Sequence, residues 1–98
     1  MTIWKYPLQL TDRQSFRMPI GALILSLQVQ YEIPCLWALV DPKERTEERA
    51  FRIYGTGHPV DEIGRFLGTF QIHNGALVFH VFDVGVTREW DGIKREGK

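Results

Sequence analysis

The stretch from Phe51 to Val60, FRIYGTGHPV, carries the residue types best spaced for recognition chemistry. Arg52 and Tyr54 stand two apart, so on an extended strand they share one face. A guanidinium in that position can hold a phosphate through paired N–H donors, and a phenol ring can stack on a base. Gly55-Thr56-Gly57 follows directly. Glycine backbone can aim successive N–H groups at an anion, Thr56 adds a hydroxyl, and His58 adds an imidazole beside a predicted helix start. A plainer reading stands next to that one: a strand-ending turn with a solvated arginine and tyrosine. The motif does not choose between them, since GTGH lacks the length and lysine of a P-loop and is no dinucleotide fingerprint.

Further candidates lie outside this stretch. Trp4 and Tyr6 alternate on a strand and make either a second stacking platform or part of a core or interface. Arg17 and Gln28 are spare polar groups on faces that border the same surface in a curled sheet. For catalysis the sequence offers little. Of the three histidines, His73 and His80 share a sheet face without a third ligand type nearby, so no metal site is expected. Cys35 sits in an apolar run, neither Ser15 nor Ser26 stands in a nucleophile-like turn, and the adjacent Asp61 and Glu62 are explained by a helix start. The reading is a binding protein, not an enzyme, with no cofactor.

The elements that must position these groups are strands. Period-two alternation places Trp4, Tyr6 and Leu8 on one face of a strand over 2–8, with Pro7 marking an edge strand or a bulge. Phe16 and Met18 oppose Arg17. Over 22–30, Leu23, Leu25, Leu27 and Val29 face one way, and Ile24, Ser26, Gln28 and Gln30 the other. The short link Tyr31–Pro34 requires antiparallel pairing with Cys35–Val40, which is apolar on both faces and so belongs at the centre of a sheet or under a second copy of the chain. DPKERTEER (41–49) reads as a solvated loop. Phe51 and Ile53 point inward, opposite Arg52 and Tyr54. Pro59–Ile63 suits one short helical turn. Asn74-Gly75 is the strongest hairpin signal, pairing Ile72 with Leu77, Phe70 with Phe79 and Gly68 with Val81 on a core face. The other face pairs Gln71 with Val78, Thr69 with His80 and Leu67 with Phe82. The result is a mainly β chain: a small antiparallel sandwich or curled sheet of about seven strands, forming a single domain over 1–84 with a polar tail over 85–98.

Composition narrows the partners. Twelve basic residues balance twelve acidic ones, so no global field draws the chain to a nucleic acid polymer or an anionic membrane, and any anion site is local. One cysteine permits no intrachain disulfide and reads as a small buried hydrophobe in a reducing compartment. No apolar run approaches the roughly 20 residues of a membrane-spanning helix, and the N-terminus lacks the pattern of a signal peptide. A cytoplasmic location follows as an expectation. A chain of 98 residues buries only about 60–65% of its unfolded surface, and with apolar groups on both sheet faces it favours a homo-oligomer, the alternative being a two-layer sandwich that covers both faces internally.

The segments IWKYPLQLTD (3–12), MPIGALILSLQVQ (18–30), PCLWALVDP (34–42), FRIYGTGHPV (51–60) and GTFQIHNGALVFHVFD (68–83) resemble a small family of phage and prophage proteins carrying a domain of unknown function. The tail beyond Asp83 departs from that pattern. The resemblance implies a phage-encoded protein acting in the cytoplasm of an infected bacterium. By analogy, small oligomeric phage proteins include sponges that bind cyclic oligonucleotide or cyclic ADP-ribose immune signals without cleaving them. On that analogy Arg52 and Arg17 would contact phosphate and Tyr54, Trp4 or Tyr6 would stack. The Gly55-Thr56-Gly57 amides and His58 would add hydrogen bonds. The alternative is a protein-interaction module docking on a host defence protein or a phage assembly partner.

Overall fold

A computed structural model describes residues 1–87. Seven antiparallel strands form two sheets: β1 (Thr2–Pro7), β2 (Arg13–Pro19), β3 (Leu23–Gln30), β4 (Ile33–Val40), β5 (Thr46–Gly55), β6 (Arg65–Ile72) and β7 (Leu77–Thr87). The first sheet has the order β1-β4-β3 and the second β2-β5-β7-β6. The strand doubly apolar in sequence, β4, is central, as its composition requires, and β1 with its Pro7 is an edge.

The core lies between the sheets. Leu36, Ala38 and Val40 of β4 meet Met18 of β2, Phe51 and Ile53 of β5, Phe70 and Ile72 of β6 and Val81 of β7. Tyr6 and Phe16 close one side with rings 5.4 Å apart, and Phe16 reaches Phe51 at 5.8 Å. The β6–β7 hairpin has the register that its Asn-Gly turn dictates, including Ile72↔Leu77, Phe70↔Phe79 and Thr69↔His80. Asn74 and Gly75 take the positive φ values (57° and 85°) that such a turn demands.

Five expectations change. The alternation over β3 reverses at a bulge between Ile24 and Ser26. The extra residue, Leu25, leaves Leu23 and Leu25 outward (46% and 47% exposed) while Ile24, Leu27 and Val29 pack on the core. A second bulge, between Phe66 and Gly68, pairs Phe82 with Phe66 instead of Leu67. The acidic-basic run is a loop only to Arg45. From Thr46 it is strand, because Arg49 points into the sandwich, where Asp83 holds it, and Glu48 lies opposite Arg17. Finally, residues 59–63 form no helical turn, for a reason that belongs to the site below. Strand β7 also runs to Thr87, past the expected boundary at 84. The rest of the predicted tail lies outside the described residues.

Candidate functional site

Strand β5 delivers Arg52 and Tyr54 to the outer face of the four-stranded sheet, with the guanidinium carbon 4.9 Å from the centre of the Tyr54 ring. This is a cation stacked on an aromatic face, the pair that the spacing of two predicts. Neighbouring strands extend the aromatic surface: Phe82 lies 5.9 Å from Tyr54, and Phe66 lies 5.4 Å from Phe82.

Residues 56–64 leave β5 through the Gly-Thr-Gly bend and fold back over this surface. Gly57 sits at φ +87°, where a side chain would strain the turn. At the far end Gly64 presses on β7 so closely that a β-carbon would fall 2.1 Å from the carbonyl oxygen of Asp83. Between those ends the segment is fastened by polar groups. Arg52 donates to Glu62 Oε1 and Asp61 Oδ1, each at 2.9 Å, and through Nε to the Asp12 carbonyl at 3.1 Å. The Tyr54 hydroxyl donates toward the Glu62 carbonyl at 2.8 Å and accepts from the Glu62 amide at 3.0 Å. These bonds explain the missing helical turn. Asp61 and Glu62 serve Arg52 instead of a helix N-terminus.

The bend is less open than glycine composition suggests. The Thr56 amide donates to Val78 O and the His58 amide to Gly55 O, so both are engaged. The Thr56 hydroxyl bonds His80 Nε2 at 2.7 Å, and His80 Nδ1 meets Thr69 Oγ1 at 2.9 Å. His58 is exposed and separates two recesses. One, about 240 Å³, is lined by Asp12, Arg52, Tyr54, His58, Pro59 and Asp61. The other, about 360 Å³, is lined by Gly55, Thr56, His58 and the apolar start of β7 at Leu77, Val78 and Phe79.

Among the nominated residues, Arg52, Tyr54, Gly55, Thr56, Gly57 and His58 come together. Arg17 does not join them. It lies farther along β2 and bonds Thr46, with Glu48 at 3.7 Å. Trp4 and Tyr6 belong to the three-stranded sheet. Tyr6 packs on the core, and Trp4 is 42% exposed. Gln28 lies on the outer face of that sheet, in register with Cys35. The residue that sequence reasoning missed is Arg13. It lies directly opposite Arg52 in the β2–β5 register, and its Nε reaches Glu62 Oε1 at 3.4 Å. No grouping of His, Cys, Asp and Glu suited to a metal ion occurs among the described residues, and no helix there is long and apolar enough to cross a membrane.

Charge follows this geometry. The Tyr54 hydroxyl and then Arg52 hold the Asp61 carboxyl below its ordinary value, and Arg52 with Arg13 does the same for Glu62. Both carboxylates are therefore more acidic in the folded chain than in the unfolded one. Their contribution is complete above the ordinary Glu value of 4.5 and is lost as pH falls through the depressed folded values. The expected result is a 56–64 segment equally protected at pH 7 and pH 5 but opening more often in strong acid. Amide exchange, corrected for the intrinsic rate at each pH and with the core strands as internal control, provides the measurement.

A family model for a domain of unknown function, DUF7352, matches residues 1–90. The chain belongs to the DUF7352 family. Neither a curated protein nor a solved structure matches it. The DUF7352 match spans both sheets and the whole 55–64 segment, so the bend, Arg13, Arg52, Asp61 and Glu62 all fall within the family's domain.

Proposed function

We propose that this chain is a non-catalytic binding protein that sequesters a small, phosphate-bearing, ring-containing signal of the cyclic oligonucleotide or cyclic ADP-ribose type. In this reading it is phage-encoded, acts as a homo-oligomer in the cytoplasm of an infected bacterium, and blunts nucleotide-based immunity by holding the signal intact. The observation that carries the proposal is Arg52 stacked on Tyr54 beside a recess of about 240 Å³ at the Gly-Thr-Gly bend. A guanidinium beside a ring puts a phosphate contact and an aromatic group within one ligand's reach, both of them covered here: Tyr54 is 6% exposed and Arg52 is bound by Asp61 and Glu62.

Thermal-shift titration with cyclic dinucleotides and cyclic ADP-ribose isomers tests it. A ligand present at 100 times its Kd should add about 2.7 kcal/mol of stability, with the ligand recovered unchanged by chromatography. No shift with any of them removes the reading, and turnover would replace it with a hydrolase.

A second reading, a protein-interaction module, is favoured by a different surface. On the outer face of the three-stranded sheet, Ile3, Leu39 and Leu23 stand in one row across β1, β4 and β3. Ile3 and Leu23 are 55% and 46% exposed, and Leu25 adds a further apolar group at 47%. Such a row suits self-association or a protein partner. Substituting Ile3→Lys with Leu23→Lys should leave folding intact, since neither side chain is buried, and convert an assembled species to monomer in light scattering. A wild-type monomer at all concentrations would remove the assembly surface from both readings.

A further inference from the structure

Arg13 and Arg52 lie directly opposite each other on neighbouring antiparallel strands, where like charges repel. Two guanidinium groups in that relation need an anion between them. Glu62 provides it, accepting from Arg52 Nη1 at 2.9 Å and Arg13 Nε at 3.4 Å, while Asp61 takes Arg52 Nη2.

We propose that Asp61 and Glu62 occupy the phosphate position of this protein's own ligand site, so that the 56–64 segment is a self-inhibitory strap which a phosphate-bearing, ring-containing molecule displaces. This inference rests on the ligand reading above and specifies how that site is kept closed. Three observations support it besides the arginine pair.

First, the strap is held by charge and hydrogen bonds, not by burial. Its apolar side chains point outward, with Val60 46% and Ile63 76% exposed, and the Asp61 side chain is 75% exposed. The pair with Asp61 therefore contributes little, and Glu62, its side chain 39% exposed, is the carboxylate that a competing anion must displace. Second, the charges match. Two carboxylates offset two guanidinium groups, and a ligand of the cyclic dinucleotide or cyclic ADP-ribose type brings two singly charged phosphate groups, the same total charge, with acceptor oxygens in place of the carboxylate ones. Third, the aromatic surface beside the strap suits the remainder of such a ligand: Tyr54, bonded to the strap, is 6% exposed, and Phe66 at the far end is already 55% exposed. Tyr54, Phe82 and Phe66 form a continuous aromatic row on the outer face. Lifting the strap would free both arginines and widen access to that row together.

The test compares adenosine monophosphate and inorganic pyrophosphate as probes, by calorimetric titration, on the wild-type chain, Glu62→Gln, and the double variant Glu62→Gln/Arg52→Gln. Circular dichroism confirms that each is folded. The strap predicts that Glu62→Gln binds adenosine monophosphate roughly tenfold more tightly than wild type, since the competitor has lost its charge. It also predicts that the double variant loses the gain. Equal, measurable binding by wild type and Glu62→Gln would overturn the strap and leave the ligand reading standing. Binding by neither protein of either probe would overturn the strap, and the ligand reading would then stand or fall on the cyclic-nucleotide titration alone. Tighter pyrophosphate binding with no preference for adenosine monophosphate would overturn the ring component. An independent readout is protease cleavage within 56–64, which adenosine monophosphate should accelerate in wild type. Unchanged cleavage at saturating probe would contradict displacement.

Discussion

Removing either Arg49 or Asp83 should destabilise the chain by about 3 kcal/mol, while replacing both with apolar residues should restore most of the loss. Arg49 enters the sandwich from β5, opposite Phe16, and its guanidinium pairs with the Asp83 carboxylate of β7. The two side chains are only 13% and 10% exposed. Asp83 accepts a second bond from the Gly85 amide at 2.9 Å, and Arg49 also donates to the Ala22 carbonyl. A charge this enclosed cannot recover its hydration when its partner is deleted, which is why single deletions of buried pairs cost about 3–5 kcal/mol. The lower end applies here because a tenth of each side chain still reaches water. At about 4–8 °C per kcal/mol for a domain of this size, Arg49→Ala or Asp83→Ala should lower Tm by roughly 12–24 °C. The double substitution Arg49→Met/Asp83→Leu removes both charges and keeps the volume. Its Tm should lie far closer to wild type than that of either single variant. Single variants within about 1 kcal/mol of wild type would mean that the pair is hydrated and contributes as a surface bridge does.

That pair also marks a limit of sequence reading. DPKERTEER reads as a solvated loop because seven of its nine residues are charged. Yet Arg49 is strand and nearly enclosed, since the carboxylate that makes this tolerable comes from 34 residues later. Local pattern reports local structure well. Alternation placed Phe51 and Ile53 inward and Arg52 and Tyr54 outward, and the Asn-Gly turn fixed the Thr69–His80 pairing that the hydrogen bond confirms. Bulges are where it fails, because one inserted residue turns every later side chain over. Leu25 does this in β3, so that Leu27 and Val29 after it face inward with Ile24 and opposite Leu23.

The candidate site divides along the same line. Arg52, Tyr54 and the bend were legible as neighbours in sequence. The Arg13–Arg52 opposition needed strand order, which alternation does not give. The partnership of Asp61 and Glu62 with Arg52 needed the return path of a loop. Arg17, Trp4 and Tyr6 were grouped with the site on residue type alone; the sheet order separates Trp4 and Tyr6 from it, and the β2–β5 register puts Arg17 opposite Glu48 instead of Arg52.

Truncating Phe51 should cost about 3–5 kcal/mol and should loosen both sheets together. Phe51 is fully buried on β5, one of the two inner strands of the four-stranded sheet. It belongs to the same core cluster as Leu36, Ala38 and Val40, the inward face of β4. The three-stranded sheet must bury that face to persist, as small isolated sheets are marginal in water. Phe51→Ala removes a ring from the middle of this contact, and the tilted packing at 5.8 Å against Phe16 disappears with it. The neighbours cannot close the space without moving a strand, so the cavity cost adds to the lost transfer energy. Phe51→Leu keeps most of the volume and should cost about 1–1.5 kcal/mol. Chemical denaturation gives both values, and amide exchange locates the damage. The expected pattern is loss of protection in β4 equal to that in β5, because the two strands are stable only against each other. Exchange that quickens in β5 alone, with β4 unchanged, would show that the three-stranded sheet does not depend on the core around Phe51. It would then require another covering surface, and the outward row of Ile3, Leu39 and Leu23, packed against a second copy, would become the principal source of its stability.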